Sequence, residues 1–229
     1  MSVLAPWIGG TRRLVLQAGQ YGLLLGPVRR ALVEPGAAVH EELLRLLLCH
    51  YGKQLWAAGL NAGRCGNLSA RGHDGETIFI TPRASNKARL AVPDIERVSL
   101  NADDATLERV SVEYPMHRAC YLARPDVGAV IHTHAPALTA AGIRDPEFAR
   151  LLPEAAAALG RIELIPQVPS GSARLGALVG EAVARGAGLL LLERHGALTV
   201  GRDLAESYEL MEFGELTAKT ALLAAAMPG

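Results

Sequence analysis

Two apolar runs of strand length, "VGAVIHTH" (127–134) and "GLLLLERHG" (188–196), each end in histidine, and segments of helical periodicity surround both. Runs this short and this apolar read as central strands of a sheet covered on both faces. A third run, "RIELIPQV" (161–168), lies between them, and helices are predicted over 114–124, 136–159 (with a break near Pro153), 172–186 and about 203–227. The first half has a different rhythm. Apolar Val39, Leu43, Leu44, Leu47, Leu48, Tyr51 and Leu55 recur at helical spacing up to Gly59, which is placed to stop the helix. "GNLSAR", "HDGE" and "TIFIT" then predict a β-hairpin turning at Asp74-Gly75, and further strands are expected at "ERVSL" and "TLERVSV". Hairpins first and alternating helices and strands later predict one mixed α/β domain over 38–229, behind an extension of residues 1–37 that ends in the breaker "EPGA".

Composition limits the partners. Half the residues are hydrophobic but only 4% are aromatic, so the core is built of Ala, Val and Leu. Lys plus Arg and Asp plus Glu both number 23, with no basic block, which argues against nucleic acid and anionic lipid. Cys49, Cys65 and Cys120 are scattered and odd in number, as in a chain from a reducing cytoplasm. No stretch approaches the roughly 18 apolar residues of a membrane span. An arginine-flanked apolar stretch near the N-terminus is interrupted by Gln17, Gly19 and Gln20 and does not read as a signal peptide.

Alternate side chains of a strand share a face, so His132 and His134 project together while Thr133 points away. A His-x-His pair alone is also read as two partly exposed histidines at a strand end. The second histidine-tipped run changes the balance. Gly196 permits a sharp turn that leaves His195 at the strand tip, and strand ends are where α/β sheets carry their sites. Three neutral imidazoles with open positions would make a catalytic divalent-metal site, one ion per subunit. Zn²⁺ is the first expectation, and Mn²⁺, Co²⁺ and Fe²⁺ are alternatives. Glu113, in "SVEYPMHRACY", stands at or before the first turn of the helix leading to the His132 strand. It reads either as a carboxylate favoured by the helix dipole or as a general acid/base beside the metal. His117, one turn on, reads as a packing or supporting residue, and His40, His50 and His73 as surface or helix residues.

"GLNAGRCGNLSAR", "ITP" (80–82), "SVEYPMH", "RPDVGAVIHTHAP" and "RHGALTVG" together resemble the class II aldolase/adducin family over about residues 40–215. The resemblance implies a single three-layer α/β/α domain with a largely antiparallel central sheet. It also implies homotetramers with sites between subunits, a metal held by His132, His134 and His195, and Glu113 as catalytic acid/base. Gly66-Asn67 match the start of the family's phosphate cradle, although "GN" before a strand is also simply a turn. Tyr208 matches tyrosines that reach a neighbouring subunit's site, or it packs its own helix.

The departures bear on substrate. Arg83-Ala84 stand where the family usually has Ser/Thr-Gly, Ser111-Val112 where it has two serines, and Arg194 where it often has Asn or His. A hydroxyl and a glycine are lost from the anion pocket while Arg83 adds a planar fork that matches a carboxylate. The loop also reads as a solvated polar loop. With the fork engaged, the expected activity is decarboxylation of a hydroxylated aromatic, dihydroxyphthalate-like acid, with Asn67, Arg83, Ser111 and Tyr208 as substrate contacts. The alternatives are a sugar-phosphate aldolase and a non-catalytic, adducin-like interaction module.

Overall fold

The computed structural model describes residues 37–102 and 108–228. Helix α1 (Ala37–Ala57) turns Leu43, Leu47, Leu48, Tyr51 and Leu55 to the interior. Gly59, at φ +72°, ends it, with Leu60 N–H bonding Leu55 O and Gly59 N–H bonding Trp56 O, which closes the last turn. The hairpin follows as β1 (Asn67–Arg71) and β2 (Thr77–Ile80), antiparallel with Ser69 opposite Ile80. Its connection is a five-residue loop, wider than the tight turn expected, in which Asp74 Oδ1 accepts from Glu76 and Thr77 N–H. Strand β3 (Glu96–Ser99) pairs with β2.

The expected strand "TLERVSV" lies partly outside the described residues, and the described part is no strand. Residues 108 and 109 form a turn, and Val110 makes one isolated bridge to Pro82. Next come α2 (Tyr114–Ala123), β4 (Ala129–Thr133), α3 (Pro136–Arg144), α4 (Pro153–Leu159), β5 (Ile162–Ile165), α5 (Ala173–Ala184), β6 (Leu189–Leu192), β7 (Gly196–Gly201) and α6 (Leu204–Ala226). The break expected near Pro153 is wider, running from Asp145 to Leu152 with a short 3-10 turn, Phe148–Leu151.

The seven strands lie in the order β3-β2-β1-β4-β7-β6-β5, and only β5 and β6 run parallel. The sheet is thus mixed and mostly antiparallel. Strand parity sends Leu68, Ala70, Ile131, Leu189, Leu191 and Ala197 to one face, under α1, α3, α4 and α6. Val130, Leu190, Leu192, Leu198 and Val200 go to the other, under α2 and α5. The three-layer α/β/α domain follows from that division. No helix among the described residues is long and apolar enough to cross a membrane.

Candidate active site

Strand β4 carries His132 on the face covered by α2, and His134 follows just past its end on the same side. Strand β7 pairs antiparallel with β4, Thr133 opposite Ala197, so the β6–β7 connection brings His195 beside them. The ring centroids are 5.0 Å apart for His132–His134, 4.8 Å for His132–His195 and 5.1 Å for His134–His195. The sharp turn lies two residues earlier than expected, at Arg194, whose φ is +58°. That value accounts for the position: the left-handed region favours Asn or Gly over Arg. Gly196 is needed for closeness instead, because a Cβ there would sit 2.2 Å from Thr133 O.

A divalent ion fits these residues. One ligand atom from each histidine falls within 4.8 Å of the others. His132 is fully buried, and its Nδ1 bonds Ala197 O at 2.8 Å, which leaves Nε2 facing inward as a lone pair. That buried Nε2 completes no hydrogen bond, although Glu113 Oε2 lies 3.2 Å away. Burial pushes His132 down to about 4 against the pull of Glu113, so the imidazole is neutral near pH 7, as a metal ligand must be. His134 is likewise lowered, chiefly by burial.

Glu113 is the N-cap residue of α2, yet its side chain makes no cap hydrogen bond. It turns to the histidines instead. Oε1 lies 3.1 Å from His195 Nε2 and accepts from Ser170 Oγ at 2.6 Å; Oε2 accepts from Asn67 Nδ2 at 2.7 Å. Burial works to raise this carboxyl, but His132 and the hydrogen bonds from His195, Ser170 and Asn67 hold it well below the usual carboxylate range.

A cavity of about 380 Å³ opens onto this group, and Arg83, Lys87 and Ser111 line its walls. Arg83 is exposed, and its guanidinium makes no ion pair or hydrogen bond among the described residues. Lys87 is only 3% exposed; its Nζ donates to Ser85 O and Arg64 O, and burial lowers it to about 8. Ser111 Oγ accepts from Glu113 N–H at 3.3 Å. Asn67 Oδ1 also accepts from His117 Nε2, so both ends of its amide are engaged within the chain. Tyr208 does not line this cavity. It sits on α6 with its ring 5.4 Å from Tyr51 and its hydroxyl 3.1 Å from Glu212. Ser170 and Lys87 join the site without having been singled out in the sequence.

The model of the Class II Aldolase and Adducin N-terminal domain matches residues 47–222. The chain belongs to the class II aldolase/adducin family. It is 34% identical to a 5-methylthioribulose-1-phosphate/5-deoxyribulose-1-phosphate aldolase of Rhodospirillum rubrum, over 77% of each chain. It is 30% identical to a 3-oxo-tetronate 4-phosphate decarboxylase of Cupriavidus necator, over 82% of this chain and 88% of that one. The solved L-fuculose-1-phosphate aldolase of Thermus thermophilus superposes with a TM-score of 0.70 at 28% identity, covering 81% of this chain and 98% of the other. Class II aldolases use a divalent metal, and in this family member the three-histidine group is where it would be held.

Proposed function

We propose that this lyase-family protein decarboxylates a small, anionic hydroxy-carbonyl acid. The observation that carries the reading is the meeting of Glu113 with His132, His134 and His195 at a cavity whose wall supplies Lys87 and Arg83. The three histidines would hold one divalent ion per subunit, Zn²⁺ before Mn²⁺, Co²⁺ or Fe²⁺. When bound, it supplies Lewis-acid stabilisation of negative charge developing on a substrate oxygen. Lys87 and Arg83 take the anionic end of the substrate, with Ser111 beside them. The bond to the carboxylate breaks, its electron pair stays on the remaining carbon as an enolate, and CO2 leaves. Glu113 passes a proton from the substrate hydroxyl or from water to that carbon.

The relatives named for 3-oxo-tetronate 4-phosphate and for sugar phosphates support a phosphorylated hydroxy-keto acid as the substrate class. A hydroxylated aromatic diacid of the dihydroxyphthalate type is the second reading, and Arg83 favours it, because a planar guanidinium matches a carboxylate bidentately. Tyr208, outside this subunit's cavity, belongs with a homotetramer in which it reaches a neighbouring site; light scattering on the purified protein checks that assembly. A reducing cytoplasm is the proposed compartment, in keeping with free Cys49, Cys65 and Cys120.

The test is a product assay by mass spectrometry on metal-reconstituted protein, with separate pools of phosphorylated keto acids, sugar phosphates and hydroxylated aromatic acids. Loss of CO2 from the first pool is the expected result. Loss from the third makes the aromatic reading correct, aldol cleavage in the second makes the protein an aldolase, and no reaction with metal bound turns the reading toward a non-catalytic module.

A further inference from the structure

Beneath the cavity, α2 and β1 mesh through polar side chains. Helix α2 and its cap present Glu113, His117 and Tyr121 at intervals of four, and β1 presents Asn67, Ser69 and Arg71 at intervals of two. Four helical residues rise about 6 Å and two strand residues about 6.6 Å, so the two rows are commensurate over this length. The result is strict alternation. Glu113 Oε2 meets Asn67 Nδ2 at 2.7 Å, and Asn67 Oδ1 meets His117 Nε2. His117 Nδ1 meets Ser69 Oγ at 2.7 Å, and Ser69 Oγ meets Tyr121 Oη at 2.7 Å. Arg71 closes the row, donating to Tyr121 O at 2.6 Å with its guanidinium 4.9 Å from the Tyr121 ring. His117 and Ser69 have no exposed surface, so no water competes for these bonds.

The chain has one proton order. An ionised Glu113 can only accept, so the Asn67 NH2 must face it and the Asn67 oxygen must face His117. That oxygen takes the proton on His117 Nε2. Nδ1 is then the acceptor for Ser69 O–H, whose oxygen accepts from Tyr121 O–H. We infer that His117 is a positioning residue for the reaction: as its neutral Nε2–H form, supported at Nδ1 by Ser69 and Tyr121, it locks the Asn67 amide and through it the carboxylate of Glu113. The inference rests on Glu113 being the acid/base group proposed above, and it assigns Asn67 first to holding that group.

The experiment has one arm that needs no substrate. Nitrogen-15 NMR on the full-length protein with labelled histidine should show His117 as the neutral Nε2–H tautomer; an Nδ1–H tautomer or an imidazolium overturns the inference. In turnover, His117→Phe should lower kcat roughly 10- to 100-fold, in the range of lost supporting contacts at metal sites, with KM and bound metal unchanged. His117→Gln, which can present an N–H toward Asn67, should restore much of that loss. A kcat within twofold of wild type in folded His117→Phe overturns the inference. Should that variant not fold, Ser69→Ala takes its place: it should keep His117 as Nε2–H, held by the Asn67 oxygen alone, and lower kcat through the lost support at Nδ1, and an unchanged kcat overturns the inference. A wild type inactive on every substrate pool would remove the reading of Glu113, while the tautomer signal would still report on the chain itself.

Discussion

The two sides of the cavity are built on opposite terms. The histidine side is sheet. His132 is fully buried with Nδ1 tied to a carbonyl, and Gly196 lets β7 come close enough that no side chain fits between. The other side is the loop from Pro82 to Lys87, where Arg83 and Ala84 are exposed and Ala84 is held at φ +52°. A few bonds shape that loop: Arg83 N–H to Arg109 O, Ser85 Oγ to Pro82 O and Lys87 Nζ to Ser85 O. The difference teaches that the three histidines are brought together by strand register, while the residues proposed for recognition sit on a loop that can change without moving them.

The comparison can be broken most decisively at its rigid side. His132→Ala should lose both the ion and turnover, read by elemental analysis and product formation; a metal-loaded, active variant would separate the histidines from the chemistry. Glu113→Gln should keep its metal and lose roughly 10²- to 10⁴-fold in kcat, the usual range for a general acid/base. Retained turnover would move the proton to another group.

Next comes acid stability of the metal-free protein. Burial holds His40 near 4, with His73 adding to the effect, and burial first holds His117 near 3 against a reference of 6.5. The unfolded chain therefore takes up more protons below pH 6.5. Stability is full above about 6.5 and falls as pH drops toward 4. Urea melts between pH 7.5 and 4.5 should show the midpoint falling; a flat profile would mean that these imidazoles are not buried neutral.

The loop side should respond more gently. Arg83→Ala should raise KM about tenfold with kcat nearly unchanged, a charged hydrogen bond discounted for exposure. An unchanged KM would return Arg83 to solvent. Smallest is Ala84→Gly. Left-handed backbone costs an L-residue about 1–2 kcal/mol, and added glycine entropy takes back about 0.5–1. The melting temperature should rise by about 1–3 °C, and a fall would show that the Ala84 methyl has packing worth more than the strain.

The histidine side was also the more legible one. Parity along "VIHTH" put His132 and His134 on one face, and a second apolar run ending in His195 supplied the third imidazole. Glu113 had two readings in sequence; in the structure its side chain makes no cap hydrogen bond and turns toward His132 and His195. Ser170 was not visible, because it sits in the small-residue loop "PSGS" after β5, 57 residues from the carboxylate it holds. The mesh of α2 with β1 was half visible: "NLSAR" and "EYPMHRACY" carry the two spacings, but their register needs tertiary contact. The strand β7 was missed as a separate element because "GALTVG" is short and glycine-bounded. The loop residues Arg83 and Lys87 differ in burial, and nothing in "PRASNKAR" distinguishes them.

One carboxylate outside the cavity bears on how the chain around His134 is held. Glu215, on α6 and 2% exposed, accepts from Ala137 and Leu138 N–H at 3.2 and 2.9 Å, with Lys219 3.3 Å away. Those amides open α3, which begins two residues after His134. The start of a helix is a ready seat for a phosphate or carboxylate. Here the chain sits in its own seat. A foreign anion would have to displace Glu215 to sit there, so the start of this helix serves to fasten α6 to the segment that follows His134.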